Sequence, residues 1–244
     1  CIVINFLIDL GNSNCKVAFE EKGVLTEIHR SSQGEDVRSF VLSFLEEKSV
    51  DVIVFSNVRE DDPELNEALS SRCRRLIVLD SSTELPINLD YQFPAKGLGS
   101  DRIAGALAVA TLFPGKDCIK FDFGTALTVD FINKKGVFLG GNISLGLTSR
   151  FRALNQFTKR LPFIKPVENI PQFGVDTHGA MTAGVVFGLK FEVEGYINQY
   201  PDHTIVFTGG DAFYFAEKMK SAIFVTPNLV LMGLAQIADY YVEK

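Results

Sequence analysis

Tryptophan is absent from this 244-residue chain, and cysteine, histidine and methionine are scarce at four, three and three. The cysteines are Cys1, Cys15, Cys73 and Cys118, with no C-x-x-C spacing among them. Each sits in or beside an apolar run. That excludes a disulfide framework and fits reduced thiols in a cytoplasmic protein. His29, His178 and His203 are dispersed and do not make a zinc site. A surplus of basic charge is also missing. Lys and Arg total 24 against 30 Asp and Glu, a net charge of −6, the wrong sign for a nucleic-acid surface. The cluster Arg72, Arg74 and Arg75 reads as a solvated helix end. No apolar run approaches the roughly 20 residues that span a bilayer. The opening CIVINFLIDL is broken by Asp9 and has neither a basic flank nor a cleavage site, so it does not read as a signal peptide. No membrane contact is expected.

What is present is a large apolar share, 46% of residues, with 21 phenylalanines that read chiefly as core. The pattern is α/β. Ile2–Asp9, Lys16–Glu20 and Val24–His29 read as a meander of strands around a turn at Gly11–Asn14. A helix follows over Val37–Lys48, a buried strand over Val50–Phe55, a helix from Pro63 to about Arg72, and a strand over Leu76–Leu79. An Ala-rich helix runs from Asp101 to Phe113. Then the order repeats. Strands are expected over Asp117–Phe123, Ala126–Asn133 and Val137–Leu139. Helices are expected over Leu147–Arg160 and Met181–Gln199, and a strand over Thr204–Thr208. Helix Asp211–Lys220, strand Ile223–Val225 and helix Leu229–Val242 close the chain. The reading is two similar halves, 1–115 and 116–244, around a central cleft that suits a ligand.

The repeat carries chemistry. LIDLGNSNCKVAF and KFDFGTALTVDF each put an Asp-x-Gly turn between two strands. Glycine lets backbone N–H groups approach a ligand, and such groups favour phosphate oxygens. One such turn is an ordinary hairpin; two at matching places read as a clamp for the phosphates of a nucleotide. Asp9 would hold a hydrated Mg²⁺, Gly11, Asn12, Ser13 and Asn14 would meet phosphate, and Lys16 would add positive charge. Gly124 and Thr125 would act from the second turn. Asp101, in GLGSDRIAG, is either a helix cap or a general base. Arg102 is either a surface cation or a fork for a substrate carboxylate. GGNISLGL, from Gly140, and TGGDA, from Thr208, read as glycine turns ahead of helices, and Thr177 as an N-cap or a cleft hydroxyl.

These residues, in order and over nearly the whole chain, resemble the type III pantothenate kinases of the acetate and sugar kinase/Hsp70/actin superfamily. The matching segments are Asp9–Ser13, Tyr91 with Pro94, Gly99–Arg102, Asp122–Asp130, Gly140–Gly146, Thr177 and Thr208–Gly210. The resemblance implies two halves of the actin-like ATPase (ribonuclease H-like) fold. It implies ATP-dependent phosphorylation of pantothenate, the first step of coenzyme A synthesis, by a homodimer. It implies Asp101 as proton acceptor, with Tyr91, Gly99, Ser100, Arg102 and Thr177 at the pantothenate site. Asp9, Leu10, Gly11, Asn12, Ser13, Asn14, Cys15, Lys16 and Thr125 would hold ATP, with Mg²⁺ reaching Asp9 through water. Asp122 would bind K⁺ or NH₄⁺. Leu145 departs from the family by standing where proline is usual, and Cys15 and Lys16 fall at variable positions. Two other readings stand beside this one: a non-catalytic accessory relative, and a kinase for another small molecule.

Overall fold

A computed structural model describes residues 3–46, 48–86, 97–165 and 169–244. Its described elements are β1 (Asn5–Leu10), β2 (Cys15–Glu21), β3 (Val24–Arg30), α1 (Val37–Ser43), β4 (Val50–Asn57), α2 (Pro63–Ser70), β5 (Cys73–Val78) and α3 (Ser100–Leu112), followed by β6 (Cys118–Phe123), β7 (Ala126–Ile132), β8 (Phe138–Leu145), α4 (Leu147–Phe157), α5 (Thr177–Gln199), β9 (Thr204–Gly209), α6 (Ala212–Ala216), β10 (Ile223–Val225) and α7 (Leu229–Val242).

β1, NFLIDL, does not alternate between apolar and polar residues, and β6, CIKFDF, alternates but buries its lysine too, because each is the middle strand of a sheet covered on both faces. The first sheet has the order β3-β2-β1-β4-β5, and the second has the order β8-β7-β6-β9-β10. The orientations repeat as well. β1 runs antiparallel to β2 and parallel to β4, and β6 runs antiparallel to β7 and parallel to β9. In both central strands every residue is buried except the aspartate one place before the end, Asp9 and Asp122.

The chain forms two compact units, 1–114 with 136–138 and 228–244, and 115–135 with 139–227. The first unit packs Phe6, Ile8, Val17, Phe40, Ile53, Phe55 and Leu69 against one another. The second is built on phenylalanine, with Phe123 stacked on Phe215 at 5.2 Å and Phe121 edge-on to Phe207 at 5.3 Å. Aromatic pairs in these geometries add to what their burial contributes. In the second sheet Lys120 and Asp130 face each other across β6 and β7, fully buried, with Nζ and Oδ2 2.7 Å apart. Removing either partner would strand the other charge, at a cost of about 3–5 kcal/mol.

Several expectations are corrected. The third strand of the second sheet is not confined to Val137–Leu139. It runs to Leu145, so Gly140–Leu145 is strand and not a turn. As the outer strand of its sheet, it tolerates two glycines and alternating exposure. α5 begins four residues before Met181, because Asp176 caps it by accepting from Gly179 N at 2.7 Å. α1, α4 and α6 end earlier than expected, at Ser43, Phe157 and Ala216. Arg74 and Arg75 lie on β5 and not at a helix end, with the Arg75 guanidinium 4.7 Å from the Tyr241 ring. No described helix is long and apolar enough to cross a membrane.

α7 closes the first unit. It packs on α3, β1 and β4. The contact with α3 has no spare room. A Cβ at Gly233 would lie 2.0 Å from the carbonyl oxygen of Ala104. Near its end, α7 sets Asp239 against the buried Glu20 of β2. Glu20 already accepts from Asn5 Nδ2 at 2.7 Å and from the backbone N–H of Gly23. Burial, the nearby Glu20 charge and a hydrogen bond with Glu20, with Glu243 adding to them, push the Asp239 carboxyl up to about 6. A raised carboxyl means that the fold favours the protonated form. The contribution of Asp239 to stability is therefore full below its unfolded value near 3.8 and is lost as pH rises through about 6. Asp239→Asn should match the wild type near pH 4 and exceed it in denaturant midpoint by a growing margin up to pH 7. A constant difference across that range would remove this account.

Candidate functional site

The first unit brings two of the expected segments together. β1 ends at Asp9-Leu10, and the chain turns at once, with Gly11 N donating to Asn14 O at 3.0 Å. Asn12 and Ser13 at the tip are exposed, while the side chains of Leu10 and Cys15 are buried. Leu10 and Cys15 therefore serve the turn through their backbone and packing. Lys16 lies opposite Asp9 across the β1–β2 pair, on the same face of the sheet. Arg59, just after β4, reaches back and donates from Nε to Gly11 O at 2.8 Å. Two cations thus flank this turn.

On the other side of Asp9 lies β4, with Ser56 as its register partner. Ser56 Oγ is 2.8 Å from Ser100 Oγ at the start of α3. Asp101 is the second residue of that helix and does not cap it. The cap position is Gly99, which makes no side-chain bond. One oxygen of Asp101 accepts from Arg102 N at 2.8 Å. It also crowds Gly99, where a Cβ would come within 2.6 Å of Oδ1. Glycine at 99 therefore makes room for this carboxylate. The Arg102 guanidinium lies over the Phe138 ring at 5.6 Å. Ser100, expected among the substrate contacts, turns its hydroxyl inward and is buried. Tyr91 and Pro94 lie outside the described residues.

The second unit builds the matching corner around Asp122. Its register partners are Thr128 on β7 and Thr208 on β9. β9 ends at Gly209, with φ +92°, where a Cβ would lie 2.5 Å from Asp122 Oδ1. Any other residue would displace the carboxylate. Gly124 and Thr125 are exposed at the turn. Gly146 caps α4 and packs so tightly on them that a Cβ would lie 2.0 Å from Gly124 O. Gly146 N and Ser149 Oγ both donate to Thr125 O, at 3.0 and 2.6 Å. Thr177 is not an N-cap but the first residue of α5, and it is exposed. It lies on an open cavity of about 850 Å³ between α4 and α5, together with Leu145, Arg150, Phe157 and Met181. Arg150 is anchored there to Leu145 O at 2.8 Å and to Glu192.

The two cation positions fit their residues. Mg²⁺ is normally held by one or two carboxylates together with waters and substrate phosphates. Asp9, beside a turn whose tip residues Asn12 and Ser13 are exposed, could offer such a carboxylate. A monovalent hard cation takes oxygen ligands. Asp122 supplies a carboxylate, and Thr128 supplies a shielded hydroxyl with no hydrogen-bond partner among the described residues. Sequence reasoning missed Arg59, Ser56 and the Arg150–Glu192 pair. The only signal for Ser56 and Arg59 was a polar stretch directly after an apolar strand, which also fits any surface loop.

The sequence profile of the type III pantothenate kinase family matches residues 5–199. A type III pantothenate kinase from Cytophaga hutchinsonii is 40% identical over 98% of this chain and 100% of its own length. One from Bacteroides fragilis strain YCH46 is 38% identical over 97% and 98%. Among solved structures, a Campylobacter jejuni protein assigned to the Baf family of transcriptional activators superposes with a TM-score of 0.67 at 24% identity, over 98% of this chain and all of its own. The ADPNP-bound activator of 2-hydroxyisocaproyl-CoA dehydratase from Clostridium difficile gives 0.57 at 14% identity, over 100% and 95%. These structures share the actin-like fold.

Burial, with the Asp9 charge adding to it, pushes the Cys15 thiol up to about 12. A thiol reacts as its thiolate. Cys15 should therefore resist iodoacetamide at pH 8 in the native protein and be alkylated only after unfolding. Rapid native labelling at Cys15, located by peptide mass, would contradict the placement of this turn.

Proposed function

The chain belongs to the type III pantothenate kinase family, and we propose on that premise that it transfers the γ-phosphoryl group of ATP to the primary hydroxyl of pantothenate. The product is phosphopantothenate, which opens coenzyme A synthesis. The observation that carries this reading is that Ser56 lies beside Asp9 in the sheet and is bonded to Ser100, the residue next to Asp101. One carboxylate suits a metal–phosphate complex and the other a hydroxyl proton. Asp101 accepts the proton as the hydroxyl oxygen bonds to phosphorus, and the bond from phosphorus to the departing ADP oxygen breaks. Arg102 pairs with the pantothenate carboxylate. Gly99 completes that side, Ser100 supports it from within, and the family resemblance assigns Tyr91 to the same substrate. The turn from Gly11 to Asn14 and the side chain of Lys16 hold phosphates, as do Gly124 and Thr125. Asp9 would hold hydrated Mg²⁺, and Asp122 would hold K⁺ or NH₄⁺. When bound, these ions neutralise phosphate charge, which with positioning is most of what phosphoryl transfer requires.

A second copy of the chain would cover the α4–α5 cavity. Thr177 opens onto that cavity, and Phe157 at its rim is 83% exposed. Phe173 and Val175, in the segment ahead of Thr177, are also exposed. Apolar exposure on this scale suits a partner surface. Sedimentation should give the mass of two chains, falling to one in Phe157→Asp; a wild-type monomer removes this part. The protein would work in the cytoplasm, where reduced thiols persist.

The kinase reading is tested by ADP release from ATP and Mg²⁺, with and without pantothenate, in K⁺ and in Na⁺ buffer. Release should require pantothenate and K⁺, and Asp101→Ala should lower kcat by about 10²–10⁴-fold, the usual effect of losing a general base. Release independent of pantothenate, or an Asp101 variant at wild-type rate, would overturn it.

A further inference from the structure

We infer that the buried hydroxyl pair Ser56–Ser100 is a positioning device that sets the Asp101 carboxylate relative to Asp9. The inference rests on the roles proposed above for those two aspartates. Its starting point is a proton count. Ser100 Oγ lies 3.3 Å from Asn57 O as well as 2.8 Å from Ser56 Oγ. A carbonyl only accepts, and a hydroxyl has one proton. With Ser100 donating to Asn57 O, the Ser56 hydroxyl is the one that donates to Ser100. Ser56 then has no proton left for Asp9, its neighbour on the same face of the sheet. The serine fixes the spacing without neutralising the carboxylate that is to face a cation.

The placement on α3 makes this pair effective. Ser100 is the first residue of the helix, and its side chain lies on the stripe Ser100, Ile103, Ala104 and Leu107, all buried. Tying residue 100 to β4 fixes the rotation of the helix about its own axis. Asp101, next in sequence, points about 100° further round. Gly233 already holds α3 at Ala104 against α7. The serine pair supplies the second fixed point, at the end that carries the carboxylate. Both serines are nearly inaccessible, Ser56 at 0% and Ser100 at 5% exposure. Their hydroxyls are bonded to each other and turned away from solvent, so their effect on the reaction is assigned to Asp101. Misplacing a reacting group by about 1 Å can cost 10²-fold in rate.

The test is a double-mutant cycle of Ser56→Ala, Ser100→Ala and the pair, with Ser100→Thr as the conservative control. Each alanine variant should lower kcat about 10-fold while leaving KM for ATP and pantothenate within about 2-fold, because binding groups stay in place. The double variant should be no worse than the worse single variant, since both cut one link. Ser100→Thr, which keeps the hydroxyl, should restore most of kcat. Alanine variants that fold and turn over at the wild-type rate would overturn the inference, as would losses that multiply in the double variant. A crystal structure of Ser100→Ala provides a readout free of activity. It should show Asp101 displaced relative to Asp9, and an unmoved Asp101 would overturn the device. If wild-type protein shows no pantothenate-dependent turnover, the kinase reading fails, while the displacement still decides whether the serines position Asp101.

Discussion

A strand buried on both faces can keep a charge in contact with water only at its end. Every residue of β1 and of β6 is buried except the aspartate one place from the carboxyl terminus. That constraint organises both units. Each central strand needs covering helices, a hairpin partner on one side and a parallel partner on the other. All of these must stop short enough to leave the carboxylate open. Glycine does the stopping. A Cβ at Gly209 would strike Asp122, and one at Gly146 would strike the turn after it. In the first unit the parallel neighbour of Asp9 is the small Ser56, and Gly99 makes room beside Asp101. In open α/β sheets, the carboxyl ends of the strands are where ligands bind.

The hairpins around Asp9 and Asp122 were legible because two local signals agree there. An apolar run gives the strand, and Asp-x-Gly gives the turn. Finding that signal twice pointed to two similar halves, but the strand order within each sheet came from the structure. Other features were not local. Gly140 and Gly141 look like a turn in a linear reading. They are strand because β8 lies at a sheet edge, where a glycine costs little packing. Thr177 reads as a cap until Asp176 is seen to accept the bond from Gly179. α7 is buried on most of its surface, from Leu229 through Ala238. Such a helix announces burial but not its partner. Its return to the first unit could be learned only from the structure. Ser56 and Ser100 are 44 positions apart, and no spacing rule links a strand end to a helix start at that distance.

Below their aspartates the two corners differ. Two residues before Asp9 on β1 is Leu7, opposite Ala18, and both are fully buried. The equivalent places under Asp122 hold Lys120 and Asp130, paired at 2.7 Å. Replacing an apolar pair by a buried ion pair seldom adds stability, since the lost hydration of two charges offsets their attraction. Leu7 and Ala18 fill the equivalent places without charge, so the fold itself does not require the pair. The pair lies on the same face as Asp122, two residue pairs along the ladder, with Phe121 and Val129 between.

The surroundings of the aspartates diverge in the same sense. Asp9 has Lys16 across the strand pair and Arg59 bonded into its turn. Asp122 has Thr128 and Thr208 in the corresponding register. A carboxylate beside two cations, at a turn with an exposed tip, suits a polyphosphate and the metal that travels with it. A carboxylate with a threonine at each neighbouring register position suits a monovalent cation held by oxygen ligands. On the same strand order and directions the two corners thus offer different donor sets, with a turn of four residues in the first and of two in the second. The difference lies in which side chains occupy the adjacent ladder positions, and in the charge they bring.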